Sequence, residues 1–116
     1  MITEKIKKYI EKCREAMELA NAIGNEICNA LKDVMPNLGY FVGQQDGGIE
    51  AICFYDRDAE ISAFDTEYYY LDELILEVFP ELEGHICCSF GAWVNEEKAR
   101  IVREKLKSLR QGNKGE

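Results

Sequence analysis

Basic residues are almost missing from the centre of this sequence. Residues 46–83 contain twelve acidic side chains and a single basic one, Arg57. Residues 1–45 hold six of each sign, and residues 84–116 hold four acids and seven bases, so the formal net charge of -8 comes from the centre. Phosphate recognition needs basic patches, so this distribution argues against nucleic acid as the partner. It favours a positively charged partner, which a directional field steers into contact.

Long hydrophobic runs and a secretory leader are also missing. No stretch of about 18 apolar residues is present to span a bilayer, and residues 1–5 lack the apolar segment of a signal peptide. We therefore expect a soluble, cytoplasmic protein. The length of 116 residues and the hydrophobic content of 47% predict a single domain over residues 1–116. Its polar end, residues 111–116, is predicted to be a frayed tail.

The cysteines follow no recognised spacing. They are Cys13, Cys28, Cys53, Cys87 and Cys88. None has the C-x-x-C spacing of a zinc knuckle or a redox motif, and their odd number leaves one without a partner in any pairing scheme. The sequence therefore predicts reduced, mostly buried thiols, as is usual in the cytosol.

Apolar residues recur at helical spacing through residues 3–34, with Thr3 as the predicted N-cap and Pro36 as the stop. They are Ile6, Ile10, Cys13, Met17, Ala20, Ile27, Leu31 and Val34. A continuous helix of this length would measure about 45 Å, which is longer than a domain of this size usually needs. Three interpretations stay open. The helix breaks near Gly24, Gly24 permits a close backbone approach, or part of the stripe packs on a second copy in a homodimer.

Three strands are predicted after this helix. Residues 38–43 and 49–55 flank Asp46 and Gly47, a pair suited to a hairpin turn. Residues 59–64 alternate apolar and polar side chains, which is typical of a further strand. We expect the three strands to form an antiparallel meander.

A helix, a strand and a helix complete the predicted order. Asp65 or Thr66 caps a helix that ends before Pro80, residues 85–94 form a fourth strand, and Asn95 caps the last helix. The buried stripe of the last helix is Ala99, Val102, Leu106 and Leu109. The order α-β-β-β-α-β-α predicts an α+β fold, in which an antiparallel sheet of about four strands packs against helices and the N-terminal helix is long.

The sequence contains no motif that identifies catalytic residues, a metal site or a cofactor. His85 and Cys87 are two apart in a predicted strand, so they share a face about 7 Å apart, near enough to consider a thiolate and imidazole pair. Packing explains them better, because no third group is evident to orient them. The acids of residues 56–60 lack the glycine and the distal glutamate of a calcium loop. We therefore predict no catalytic residue, no metal and no cofactor.

The outward side of the predicted second helix is the candidate binding surface. If Tyr68, Leu71, Ile75 and Val78 face the core, helical geometry directs a mixture of tyrosine, leucine and carboxylates outward. Tyrosines provide rigid contact area, and acids guide encounter and register. The predicted partner-binding residues are Asp56, Asp58, Glu60, Asp65, Tyr69, Tyr70, Asp72, Glu73, Leu76 and Glu77. In the alternative interpretation, Tyr69, Tyr70 and Leu76 pack inside and the acids only maintain solubility.

Two functional hypotheses follow. The first is a non-enzymatic inhibitor or adaptor whose acidic surface occupies a basic groove of a partner protein, one that normally holds nucleic acid. In size and charge alone the chain is similar to nucleic-acid mimics, among them immunity proteins and phage-borne anti-defence inhibitors such as anti-CRISPR proteins. The second is a small enzyme or ligand-binding domain with a pocket near His85 and Cys87. The lack of a convincing nucleophile, base or phosphate loop favours the first.

Overall fold

The fold is α+β with a long N-terminal helix, as predicted. A computed structural model describes residues 1–44, 50–56, 68–88 and 92–112 of the chain. Its helices are α1 (Ile2–Ala30), α2 (Leu71–Val78) and α3 (Glu96–Gly112), and its strands are β1 (Leu38–Gln44), β2 (Glu50–Asp56), β3 (Tyr68–Tyr70), β4 (Ile86–Cys88) and β5 (Trp93–Asn95). A short 3-10 turn, Pro80–Leu82, lies between α2 and β4.

The larger sheet has β2 at its centre. β1 and β2 form the predicted antiparallel pair, with Leu38 opposite Asp56. β4 lies on the other side of β2 in parallel, with Cys53 opposite Cys87, so this sheet is mixed. Residues 51–54 are all buried. Both sides of β2 are therefore covered, as its nearly continuous apolar pattern indicates.

The smaller sheet pairs β3 with β5 in antiparallel fashion, and it changes two predicted elements. The segment 85–94, predicted as one strand, supplies β4 to the larger sheet and the start of β5 to the smaller one. The second helix begins at Leu71 and not at residue 65 or 66, because the tyrosines before it form β3. Aromatic residues favour strands, and here a partner strand is available. The predicted strand 59–64, its turn and the Asp46-Gly47 turn lie outside the described residues.

Helix α1 is continuous through Gly24, so the predicted break is wrong. It begins at Ile2 with Met1 in the capping position, and no side chain caps it, so Thr3 is not the N-cap. It ends at Ala30, four residues before the predicted end. The amides of Val34 and Met35 donate to the carbonyl of Leu31, which closes the chain into a turn before β1.

Gly24 lies directly against the ring of Tyr40 on β1. A Cβ atom at position 24 would be 2.5 Å from Cδ2 of Tyr40 and 2.7 Å from Cγ. The Tyr40 hydroxyl donates a 2.9 Å hydrogen bond to the carbonyl of Asn21, which fixes the ring across the helix. The close backbone approach that the sequence permits at Gly24 is therefore present.

Helix α3 and the end of α1 close the core over the sheets. Asn95 Oδ1 accepts a 2.9 Å hydrogen bond from the Lys98 amide, which confirms the predicted cap. The helix continues to Gly112, so residues 111 and 112 of the predicted frayed tail are helical, and its other residues lie outside the described part of the chain. The fully covered core consists of Ile27, Leu31, Met35, Ile52, Phe54, Leu71, Leu74, Ile75, Ile86, Ala92, Val94, Ala99, Val102 and Leu106. The predicted stripe of α3 is thus buried, with Leu109 packed at its edge.

We call the packed region formed by the two sheets, α2, α3 and the end of α1 the body. The first part of α1 extends beyond the body. Every residue from 1 to 19 is exposed, and the longest dimension of the molecule is 61 Å. The exposed large apolar side chains of α1 are Ile2, Ile6, Tyr9, Ile10, Met17 and Leu19. None of the described helices has the length and apolar content needed to cross a bilayer.

We predict that Gly24→Ala destabilises the fold by about 1–3 kcal/mol, the usual cost of overpacking. Alanine normally stabilises a helix interior by up to about 1 kcal/mol relative to glycine. Here the new methyl group would clash with Cγ and Cδ2 of Tyr40. The ring is fixed by its hydrogen bond to Asn21, so the cost of the clash exceeds the gain in helix propensity. Urea unfolding measures the difference. Gly112→Ala is the control, since no atom lies within 4 Å of its Cβ position, and equal stability of both variants would contradict the prediction.

Candidate binding surface

The sheet β3–β5 has one covered side and one exposed side. Successive strand residues point to opposite sides, and the register pairs Tyr69 with Val94 and Tyr70 with Trp93. Val94 is buried and Tyr69 packs against the core, so they form the covered side. Tyr68, Tyr70 and Trp93 form the other side, where Tyr68 is 45% exposed and Tyr70 is 42% exposed.

The rings of Tyr68, Tyr70 and Trp93 contact one another, and we call them the aromatic face. The centroid of Trp93 lies 6.0 Å from that of Tyr68 and 5.7 Å from that of Tyr70, and the two tyrosines meet edge to face at 6.2 Å. These are favourable distances for aromatic pairs. A contiguous exposed group of aromatic rings marks an interaction site more often than scattered exposed residues do.

Arg103 of α3 packs against Tyr69 on the opposite, covered side of the sheet that carries the aromatic face. The guanidinium carbon of Arg103 lies 5.1 Å from the centroid of the Tyr69 ring, on the covered side of the sheet. The Trp93 indole Nε1 is buried and has no hydrogen-bond partner among the residues that the structure describes. An unpaired buried donor is costly, and such groups in native structures call for an explanation such as a functional role.

Two carboxylates in and just after α2, Glu77 and Glu81, are paired with arginines of α3. Arg103 donates to both oxygens of Glu77, from Nε at 2.7 Å and from Nη2 at 3.2 Å. Arg110 donates to both oxygens of Glu81 at 3.1 and 2.9 Å, and its Nη1 also donates to the carbonyl of Val78. Bidentate pairs of this kind between an arginine and a carboxylate are among the strongest ion pairs. These pairs neutralise part of the acidic segment.

The ion pairs lower the pKa of both carboxyl groups. The hydrogen bond from Arg103 is the main cause at Glu77, helped by the charges of Arg103 and Lys107 and opposed by burial. The hydrogen bond from Arg110 is the main cause at Glu81. The carboxylate forms are therefore stabilised in the folded protein.

The predicted partner-binding residues divide into three groups. Tyr70, Asp72 and Glu73 lie at the junction of β3 and α2, where Tyr70 and Glu73 are exposed and Asp72 is half-buried. A second group is not free on the surface: Asp56 is buried, Tyr69 and Leu76 pack against the core, and Glu77 pairs with Arg103. Asp58, Glu60 and Asp65 lie outside the described residues.

Sequence reasoning missed Tyr68 and Trp93 and placed Tyr69 outward because it treated residues 68–70 as helical. In a strand, successive side chains point to opposite sides of the sheet, so Tyr69 points inward and Tyr68 points outward, while Tyr70 points outward as predicted. The signal available was the run of three tyrosines, a residue type that favours strands. Trp93 had no comparable local signal, since its place depends on pairing with Tyr70.

The candidate pair of His85 and Cys87 does not form a catalytic arrangement. Cys87 is bonded to Cys53 in a disulfide, with 4.7 Å between the two Cα atoms, because β4 pairs beside β2 in parallel. The expectation of reduced thiols is therefore wrong for these two residues. His85 precedes β4 and is exposed, and its backbone bonds to Ile52 and Leu82. Cys87 has no thiolate to offer as a nucleophile.

Two other thiols are free. Cys13 is exposed, and Cys28 is half-buried. Burial raises the pKa of the Cys28 thiol to about 11, so it stays protonated and weakly nucleophilic at neutral pH. Across the residues that the structure describes, no three His, Cys, Asp or Glu side chains are grouped so that they could hold a metal ion.

An open groove of about 240 Å³ lies between the body and α1, away from the aromatic face. Neither His85 nor Cys87 lines it. Its walls are Ile23, Glu26, Ile27, Phe79, Glu81, Leu82 and Leu109. The guanidinium carbon of Arg110 lies 5.1 Å from the Phe79 ring centroid and covers one side of that ring. The groove is therefore apolar inside with carboxylates in its lining.

Comparison with protein-family models, with curated proteins and with solved structures finds no match to this chain.

We predict that Glu77→Gln lowers stability at pH 7 by at most about 1 kcal/mol, since Glu77 is 51% exposed and solvent screens the pair. A carboxyl whose folded pKa is depressed contributes stability above its unfolded pKa and loses it as the pH falls through the folded pKa. The difference between variant and wild type should therefore begin to shrink below the ordinary value of 4.5 and disappear only below the lowered pKa that Glu77 has in the folded protein. Urea unfolding across this pH range measures it.

The control for this prediction is Glu104→Gln, an exposed carboxylate of α3. It should change stability little at either pH. A Glu77→Gln deficit that persists in acid would show that the pair with Arg103 is not its cause.

Proposed function

We propose that the protein is a non-enzymatic interaction protein that binds a basic segment of a partner protein on its aromatic face. The observation that carries this proposal is the cluster of Tyr68, Tyr70 and Trp93, which are in mutual contact on an exposed strand pair. Arginine and lysine bind aromatic faces through cation–π contacts. Tyrosine, tryptophan and arginine are also the residues that contribute most to binding at interfaces.

Charge supports a cationic partner over a neutral one. Asp72 and Glu73 lie two and three positions after Tyr70, in the first turn of α2. Glu73 takes part in no ion pair within the described part of the chain. Carboxylates beside aromatic rings add steering and register to the contact. The pairing of Glu77 and Glu81 with arginines moves the proposed contact away from the outer side of α2 and toward the β3–α2 junction.

The class of partner that we propose is a nucleic-acid-binding protein. Its basic groove, which normally takes phosphates, would take the carboxylates of this chain instead, and the protein would act as an inhibitor or adaptor. The support is the net charge of -8, with twelve acids and one base in residues 46–83. The same charge disfavours direct binding to nucleic acid.

We also propose that the chain associates with itself through the exposed part of α1. The support is the set of apolar side chains on residues 1–19, none of which the body covers. Helix pairing is the usual way in which such a stripe leaves water.

We propose a cytoplasmic location, and the thiols provide its test. Cytoplasmic reductants keep cysteines free, whereas the Cys53–Cys87 disulfide is typical of an oxidising compartment. Because Cys53 is buried and Cys87 is half-buried, the cells are lysed directly into denaturant with the alkylating reagent, which should label Cys53 and Cys87 if the location is cytoplasmic, with Cys13 as the positive control. Protection of this pair while Cys13 is labelled would place the protein elsewhere.

We predict that an arginine-rich peptide changes the fluorescence of Trp93, the only tryptophan of the chain, and that the affinity falls as salt is added. Tyr70→Ala should weaken binding about tenfold, which corresponds to one interface residue worth about 1.4 kcal/mol. Glu73→Lys should weaken it as well.

Two controls distinguish specific binding at the aromatic face from non-specific binding elsewhere on the protein. Phe41→Ala removes an aromatic ring that is 50% exposed on β1 and should leave the affinity unchanged. A glutamate-rich peptide of the same length should not bind. No response of Trp93 to the basic peptide, or the same response to both peptides, would overturn the proposed function.

A further inference from the structure

One side of α1 carries a row of apolar residues that is exposed in the first part of the helix and reaches the core at its end. Its members recur at alternating steps of four and three, so they share one side of the helix, as in a coiled coil. They are Ile2, Ile6, Tyr9, Cys13, Ala16, Ala20, Ile23 and Ile27. The last two line the groove, and the others lie outside the body or at its edge.

We propose that a second copy of the chain occupies this groove, with the two α1 helices antiparallel. This arrangement rests on the self-association proposed above and specifies its geometry. Ile2 and Ile6 of each copy enter the groove of the other, where Ile6 packs against the half-buried Ile23 and Ile2 packs on the groove wall at the level of Ile27, which is itself only 2% exposed. The groove and the exposed part of α1 are then two halves of one interface, repeated about a twofold axis.

A single register satisfies the whole row. Opposite layers are Ile2 with Ile27, Ile6 with Ile23, Tyr9 with Ala20, and Cys13 with Ala16, and the residue numbers of each pair have the same sum. The large tyrosine therefore meets a small alanine. Small side chains meet at the centre of the pair, where they allow the helices to approach closely.

Charge is complementary in the same register. One flank of the row is Lys5, Lys12, Leu19 and Glu26, and antiparallel pairing brings Lys5 of one copy beside Glu26 of the other, twice in each dimer. Within the described part of the chain, neither Lys5 nor Glu26 takes part in an ion pair. Glu26 supplies an uncompensated charge to the groove, whereas Glu81 is already paired with Arg110.

Parallel pairing does not fit these observations. The bodies lie at the same end of α1, so a parallel pair would press them together. It would also place Lys5 beside Ile10 of the other copy, without an opposite charge. The antiparallel pair instead extends over residues 2–27, about 39 Å of helix at 1.5 Å per residue. A contact of that length and about 10 Å width covers roughly 400 Å² on each copy, or about 800 Å² over both, which is the size of a weak, reversible interface.

Charge exchange between positions 5 and 26 tests the arrangement. The full-length protein should sediment at twice the 13.3 kDa of one chain at concentrations from micromolar upward. Glu26→Lys and Lys5→Glu should each raise the dimer dissociation constant about tenfold, because each replaces two attractive pairs by two repulsive ones. The double variant restores both pairs with reversed sign and should return to within about twofold of wild type.

The controls are Lys8→Glu and Glu11→Lys, which make the same charge changes on the other side of α1. Both should leave the dissociation constant within about twofold of wild type. A wild-type chain that stays monomeric would overturn the self-association and the arrangement together. A dimer in which the double variant is no tighter than the single ones would overturn the antiparallel arrangement and leave self-association standing.

Discussion

The contact between Gly24 and the Tyr40 ring determines where α1 lies on the sheet. Any side chain at position 24 would push the helix away from β1, so the two elements approach only at this level of α1. Residues after it, such as Ile27 and Leu31, reach the core. Residues 1–19 extend past the body. The groove lies at the same level, since Ile23 and Ile27, one position before and three after Gly24, form its wall on α1 opposite Phe79 and Leu82.

The tertiary structure redistributes the charge that the sequence concentrates. Acidic residues dominate the central segment, but Arg103 and Arg110 of the basic helix α3 form bidentate ion pairs with Glu77 and Glu81. Buried Asp56 leaves the surface as well. The negative potential near α2 is therefore weaker than the count of carboxylates indicates. What distinguishes this surface is the combination of contacting aromatic rings with a few remaining acids.

Much of the fold was predictable because its signals are local. Alternating side chains located β1 and β2, and Asn95 with the spacing of Ala99, Val102 and Leu106 located α3. The errors concern pairing between distant segments. Residues 68–70 became a strand only because β5 lies beside them, and the disulfide follows from a parallel pairing that cysteine spacing does not reveal. Of the candidate surface, Tyr70, Asp72 and Glu73 were predicted, whereas Tyr68 and Trp93 needed the sheet.

The parallel neighbour of β2 has a consequence for how the chain folds. Cys53 and Cys87 are separated by 34 positions along the chain, so the larger sheet is completed only after a long loop has closed. Non-local pairings of this kind raise the contact order and slow folding, whereas helices form within microseconds. Helix α1 is therefore expected to be present before the core that will cover its end. During that interval its whole apolar length faces solvent, which makes early intermediates prone to aggregation at high concentration.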